Sequence, residues 1–481
     1  MQTLFKHQKE GVAFLKKKKR AILADEMGLG KTRQAVVASG EVDTNTKIII
    51  CPASLKINWE REIKMVYPDD QTHVIQSGPE ETIPEAQWII INYDLLHKYK
   101  DQLIDLVKVG VINTAIVDEA HYIKGRKTIR AIATLEIVEM LEYVYMLTGT
   151  PIMNRPIELF NLLKAVRHPL GKKRTFYSKR YCGGHMKTIV RKNGGIIRFW
   201  DEGGATKLSE LREMTKDIIL RRTKDDELDL PEKIISVQIC ELDKSWKRTY
   251  DNAWDDYIEW VANHPSDERD IENILDAKHL VELTKLKQVC SQAKIDRIVG
   301  DIRNAVDQGE KVIVFSQFTE TINLIAEGLG QSKRASQWGD KQEPITCVTL
   351  TGQHKQEERQ KAVDAFQHDE KTKVFIANII AGGVGLNLTE ASIVMFADME
   401  WSPEIHSQAE DRAHRIGQNR TVNVYYYVLG DTIEEDIVDI LERKKSLIRA
   451  VMDGAESAQY ESSMASEFLD RLKTRMLGKN S

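Results

Sequence analysis

Ten short segments of this chain are apolar almost from end to end, and they fall into two sets. The first set is Ala21–Ala24, Lys47–Cys51, Trp88–Asn92, Thr114–Asp118 and Tyr143–Leu147. The second is Lys311–Phe315, Thr346–Leu350, Lys373–Ala377, Ser392–Phe396 and Val422–Val428. A strand with one wet face alternates apolar and polar residues; a continuous apolar run marks a strand covered on both faces. Helix-length segments separate the runs, so each set predicts a parallel sheet with helices on both sides. The chain is therefore expected to be α/β, with two doubly wound lobes whose ligands sit at the carboxyl ends of the strands. Between the sets, from Arg155 to Val299, helical spacing and charge take over. Loops are marked at Cys182-Gly183-Gly184, Asn193-Gly194-Gly195 and Glu202-Gly203-Gly204. This stretch reads as helical protrusions plus a connector. The last residues carry a short amphipathic pattern, Phe468, Leu469, Leu472 and Met476, suited to packing on a lobe.

With 481 residues, 42% of them hydrophobic, the chain can fill two or three cores. It has no run of about 18 apolar residues, so no membrane helix is expected. Its five cysteines are scattered, which suits a reducing compartment and not a disulfide framework. Cys182 and His185 are close in sequence, but without a second ligand pair they read as a loop cysteine and its neighbour. The net charge of −4 hides local contrast. From Lys172 to Arg198 there are nine basic residues (Lys172, Lys173, Arg174, Lys179, Arg180, Lys187, Arg191, Lys192 and Arg198) and no acidic one. Phe176, Tyr177, Tyr181 and Trp200 lie among or beside them. Such a stretch is either a solvated face or a surface for phosphates. Lys16–Arg20 reads as a solvated helix end.

The informative residues follow strand ends. After the first strand comes Asp25-Glu26-Met27-Gly28-Leu29-Gly30-Lys31-Thr32, and then a helix. Glycines let a backbone wrap a phosphate chain, and the N–H groups opening a helix attract anions. Lys31 would reach the β- and γ-phosphates of ATP, and the Thr32 hydroxyl would bind Mg²⁺. Asp25 stands where the strict phosphate-loop pattern has glycine. After the fourth strand come Asp118 and Glu119, the first to hold Mg²⁺ through water and the second to polarise the attacking water. The fifth strand ends in Leu147-Thr148-Gly149-Thr150-Pro151, small hydroxyl residues able to link this site to a neighbouring groove. Near the end, Arg412 and Arg415 stand three apart, on one face of an expected helix. Alone they would be a salt-bridged surface; beside an ATP site they read as arginine fingers from the second lobe.

In this order the motifs resemble the Swi/Snf-type DNA translocases of helicase superfamily two, over nearly the whole chain from Gln8 to about Asp453. Leu4–Gln8 with Gly11–Leu15 is similar to the family's adenine-sensing motif, with Gln8 the reader. Asp25–Thr32 is the family's own phosphate loop, which accounts for Asp25. Pro52-Ala53-Ser54-Leu55 with Trp59, and Asn92-Tyr93-Asp94, resemble its DNA-contacting motifs. Leu220-Arg221-Arg222-Thr223-Lys224 and Leu230-Pro231-Glu232-Lys233 resemble its interlobe segment. Val314–Phe318, Gly382–Thr389 and Gln408–Gln418 complete the second lobe. Trp401-Ser402-Pro403 has serine where the family usually has asparagine, which touches one local contact. The resemblance implies ATP and Mg²⁺ as cofactors, held by Gln8, Asp25, Gly28, Gly30, Lys31, Thr32, Asp118 and Gly385, with DNA met by Ser54, Lys56, Thr148, Gln317 and Asn387. It implies two RecA-like lobes at residues 1–154 and 300–455, helical protrusions and connector at 155–299, and a tail at 456–481.

The expected activity is a double-stranded-DNA-dependent ATPase that translocates along the duplex, mostly without separating strands. A strand-separating helicase and a nucleotide-gated DNA clamp are the alternatives; Lys31, Glu119, Arg412 and Arg415 speak against the clamp. No accessory segment such as a zinc finger is legible, so the likeness is to small bacterial or phage forms or to the bare motor of annealing-helicase relatives. A monomer is expected, cytoplasmic in a bacterial or phage-infected cell or nuclear in a eukaryote.

Overall fold

The computed structural model describes residues 4–42, 45–149, 155–190, 196–263, 277–331, 343–382 and 386–452. Gly385, Thr150-Pro151, the Asn193-Gly194-Gly195 loop and the tail at 456–481 lie outside them. The chain divides into two compact units, built mainly from Met1–Met186 with Trp200–Asp229, and from Leu230–Lys445.

In the first unit the strands are β1 (Arg20–Leu23), β2 (Thr46–Cys51), β3 (Thr72–Val74), β4 (Trp88–Asn92), β5 (Ile112–Val117) and β6 (Tyr143–Leu147). Later in the chain β7 (His185–Val190) and β8 (Ile196–Asp201) pair with each other, and β9 (Ile219–Leu220) returns to the main sheet. That sheet has the order β3-β4-β2-β5-β6-β1-β9, parallel throughout. Successive residues of one strand bury into different layers. Ile48 and Ile50 of β2 join one core with Leu96, Leu103 and Ile137, while Ile49 joins another with Leu15, Val36 and Trp59. Each such side chain contributes about 1.5–3 kcal/mol over its exposed state, which favours the apolar runs of these strands.

The second unit holds β10 (Lys233–Cys240), β11 (Val312–Ser316), β12 (Cys347–Leu350), β13 (Val374–Asn378), β14 (Ile393–Phe396) and β15 (Val422–Leu429). Their order is β10-β15-β14-β11-β13-β12, again parallel. All ten expected strands are present, within two residues of the expected ends. The stretch from Arg155 to Val299, expected to be helices and connector, also supplies the β7–β8 pair and one edge strand to each large sheet. Beneath β15, the ammonium of Lys294 is buried between the Glu434 carboxylate, at 2.6 Å, and the Tyr427 carbonyl, at 2.7 Å, pinning the helix Ile433–Met452 to the sheet. Among the described residues no helix is long and apolar enough to cross a membrane.

Candidate nucleotide-binding site

The loop after β1 is shaped by two glycines with left-handed backbone, Gly28 at φ 88° and Gly30 at φ 75°, before the helix Lys31–Val42 begins. A side chain at Gly30 would be strained by that φ, and its Cβ would lie 2.4 Å from Gln8 Nε2. Gln8 is buried against the loop: its amide donates to the Leu29 carbonyl at 3.5 Å, and His7 Nε2 meets the same oxygen at 3.1 Å. Lys31 Nζ donates to the carbonyls of Asp25, at 2.7 Å, and Glu26, at 3.3 Å, so its charge lies over the loop. Thr32 is half-buried in the first turn of the helix.

Asp25 has a different surrounding from the one its place in the loop suggested. It is fully buried, and both carboxylate oxygens receive the Arg222 guanidinium, one at 3.0 Å. Gln34 donates to it at 3.1 Å and accepts from Arg222 at 2.9 Å. Arg222 follows β9, and the Arg222 carbonyl accepts from Glu26 N at 2.9 Å. Neighbouring Arg221 reaches the carbonyls of Ala24, at 3.3 Å, and Gly149, at 3.2 Å. The loop is thus braced from beneath by a segment almost 200 residues away in sequence, and Asp25 serves the loop's shape.

The carboxylates lie at the end of β5, two strands from β1. Asp118 is buried, accepting from Trp59 Nε1 at 2.8 Å and from the Glu119 N–H at 2.9 Å. Its carbonyl accepts from the Tyr93 hydroxyl at 2.5 Å. Burial, with the Glu119 charge second, pushes the Asp118 carboxyl up to about 7, partly opposed by the Trp59 and Glu119 N–H bonds and then by the Lys31 ammonium. Glu119 adopts left-handed backbone, φ 47° and ψ 52°, costing roughly 1–2 kcal/mol in a residue with a Cβ. Its carboxylate lies 3.3 Å from His121 Nδ1. Gly149, after β6, lies beside the loop: a Cβ there would stand 3.8 Å from Lys31 Nζ. The positive loop, the helix start and the two adjacent acids Asp118 and Glu119 therefore share one end of one sheet. This donor set fits ATP with Mg²⁺: a divalent cation would compensate the charge whose burial raises Asp118.

In the second unit the helix Pro403–Glu410 ends before the arginines, correcting the expectation of a helical face. The chain tightens there, with Arg412 N bonding the Ala409 carbonyl and Ala413 N that of Glu410, both at 3.1 Å, and Gly417 turns at φ 102°. Arg412 and Arg415 nevertheless converge, each donating to the Leu386 carbonyl at 3.3 Å.

The residues expected to meet DNA divide sharply. Ser54 and Asn387 are exposed. Lys56 is not: its ammonium donates to the Ile75 carbonyl at 2.8 Å, and burial lowers its pKa. Thr148 is fully buried. Gln317 donates to Asp398 at 3.0 Å and Met399 O at 2.6 Å, and accepts from Lys287 at 3.0 Å. Lys56, Thr148 and Gln317 are therefore tied into the fold. The basic stretch changes character too. Arg174 pairs with Glu202, Arg180 grips Glu210, and Lys179 lies 5.6 Å over the Trp200 ring. Lys172, Lys173 and Phe176 stay exposed. Reasoning from motifs missed Gln34 and the parts played here by Arg222, Trp59 and Tyr93; these last three stood in recognised motifs, but as interlobe or DNA-contacting residues.

A model of the SNF2-related domain matches residues 7–295, and one of the helicase conserved C-terminal domain matches residues 292–417. The DNA annealing helicase and endonuclease ZRANB3 of Bos taurus is 30% identical over 94% of this chain and 41% of its own length. An uncharacterised ATP-dependent helicase of Mycoplasma genitalium is 30% identical over 98% of this chain and 44% of its own. The chain spans about 40% of the length of the ZRANB3 relatives it matches. Among solved structures, the Sulfolobus solfataricus SWI2/SNF2 ATPase core in complex with dsDNA aligns at 24% identity over 99% of this chain and 96% of that one, with TM-score 0.41. With a family model covering more than half of its residues and both sheets in the parallel arrangement, the chain belongs to the SNF2-related family of helicase-like proteins.

Proposed function

We propose that this chain is an ATP-hydrolysing motor that moves along double-stranded DNA without separating its strands. The observation that carries the reading is the gathering of Lys31, Asp118 and Glu119 at the carboxyl ends of β1 and β5, beside a loop with two left-handed glycines. Lys31 and the loop N–H groups hold the β- and γ-phosphates. Thr32 and Asp118 would hold Mg²⁺, which would supply charge neutralisation at the phosphates. Glu119 orients water and takes its proton. Arg412 and Arg415 serve as fingers for charge developing on the transferred phosphoryl group. Asp25 and Gln8 support the loop, and Gly385 belongs to the second unit's nucleotide motif.

Double-stranded DNA as the track is supported by family membership and by relatives named as DNA helicases. Exposed Ser54, Asn387, Lys172 and Lys173 are the contacts proposed. Between β14 and β15 the chain makes only the helix Pro403–Glu410 and turns, so no strand-splitting wedge hairpin is inserted there. We further propose a monomer. The test is steady-state ATPase with no DNA, single strands or duplex. Duplex is expected to stimulate most; stimulation by single strands alone would favour a strand-separating helicase.

A further inference from the structure

Arg412 and Arg415 lie in irregular backbone past a helix end, so no helical ladder fixes them. Their placement must come from ties around the turn. Some are local: Leu388 N donates to the Arg412 carbonyl at 3.0 Å, and Gln418 Nε2 to the Ala413 carbonyl at 3.1 Å. Two reach back more than 170 residues, to the stretch that opens β10. His414 Nε2 meets the Pro231 carbonyl at 2.8 Å, and Lys233 Nζ meets Glu410 Oε2 at 2.8 Å. Glu410 is 3% exposed, and its second oxygen accepts from the Tyr426 hydroxyl at 2.5 Å. Burial alone would raise this carboxyl; Lys233 and Tyr426 outweigh it and hold it below the usual range. Glu410 is therefore a charged, doubly bonded anchor two residues before Arg412.

We infer that Lys233 and Glu410 are positioning residues for Arg412 and Arg415, setting the turn so that both guanidinium groups converge. The inference rests on the finger role proposed above. Both would act through the turn and not through nucleotide. A misplacement near 1 Å can cost about a hundredfold in rate, so even a small shift of the turn on loss of this clamp is legible in the rate.

The test is single-turnover ATP hydrolysis with saturating duplex, alongside nucleotide affinity by fluorescence titration. Lys233→Met and Glu410→Gln are each expected to slow hydrolysis about 10–100-fold, with ATP affinity within about twofold, the effect of a residue that acts on rate alone. Lys233→Arg, which keeps the charge, should recover part of the rate. In an Arg412→Ala/Arg415→Ala background, Lys233→Met should add less than about twofold, because coupled residues are not additive. Tyr426→Phe removes one hydroxyl and gives a graded second measurement should Glu410→Gln fail to fold. An undiminished Lys233→Met defect in the fingerless background would overturn the inference. So would a normal rate for Lys233→Met beside a slow Arg412→Ala, and that result spares the finger role. A normal rate for the Arg412→Ala/Arg415→Ala variant would overturn the finger role itself, and this inference with it.

Discussion

Arg222→Ala should undermine the phosphate loop without touching nucleotide. Arg222 is 8% exposed and gives both carboxylate oxygens of Asp25 a partner, with further bonds to Gln34 and the His7 carbonyl. Asp25 is completely buried, so the variant strands a carboxylate beneath Gly28 and Gly30. Removing one partner of a buried ion pair costs about 3–5 kcal/mol, more than the pair is worth when both members are replaced. In a unit of roughly 200 residues, 1 kcal/mol moves the midpoint about 2–4 °C. The expected fall is therefore about 6–20 °C in the first unit's transition, followed by calorimetry. A companion Asp25→Leu/Arg222→Leu variant should regain most of it, since two apolar groups leave no charge behind. ATP affinity should drop in Arg222→Ala, because the loop loses its floor. A shift below about 2 °C would refute the energetic reasoning. A full shift with unchanged ATP affinity would refute the claim that the network shapes the loop.

Three further outcomes are expected. Lys31→Ala should abolish turnover and weaken ATP binding, whereas Glu119→Gln should bind ATP normally and not hydrolyse it; equilibrium binding with a phosphate-release assay checks both. Gly30→Ala, strained at φ 75° and crowding Gln8, should lose roughly 1–2 kcal/mol of stability by thermal melting. Neutralising Lys172 and Lys173 together should lower the log–log salt slope of DNA affinity by about two, one per phosphate contact. Neutralising Arg174 or Arg180, which pair with Glu202 and Glu210, should leave that slope unchanged.

What the sequence made legible was whatever depends on near neighbours. Ile48–Ile50 announces a strand buried on both faces, and Gly28, Gly30 and Lys31 announce a loop, because those constraints act within a few residues. Two kinds of feature were hidden. The first is short or edge structure: β9 has two residues, too few for a pattern. β10 lies at a sheet edge with Ile235, Val237 and Ile239 partly exposed inside a charged region. The second is pairing across long separations. The run from Lys172 to Arg198 is one-signed in sequence only, since Glu202 and Glu210 return to Arg174 and Arg180 in space. Lys56 looks like a surface lysine until the fold sets its ammonium under the Ile75 carbonyl. Asp25 carries no sign that its partner is Arg222.

ATP-driven movement along duplex without melting is read out by displacement of a triplex-forming oligonucleotide, with a fork of about 20 base pairs as the parallel substrate. Opening that fork means breaking steps that average roughly 1.4 kcal/mol each in stacking, and nothing between β14 and β15 provides a wedge. ATP-dependent triplex displacement, its loss in Glu119→Gln, and an intact fork are expected. Efficient unwinding of the fork with no triplex displacement would contradict movement without melting.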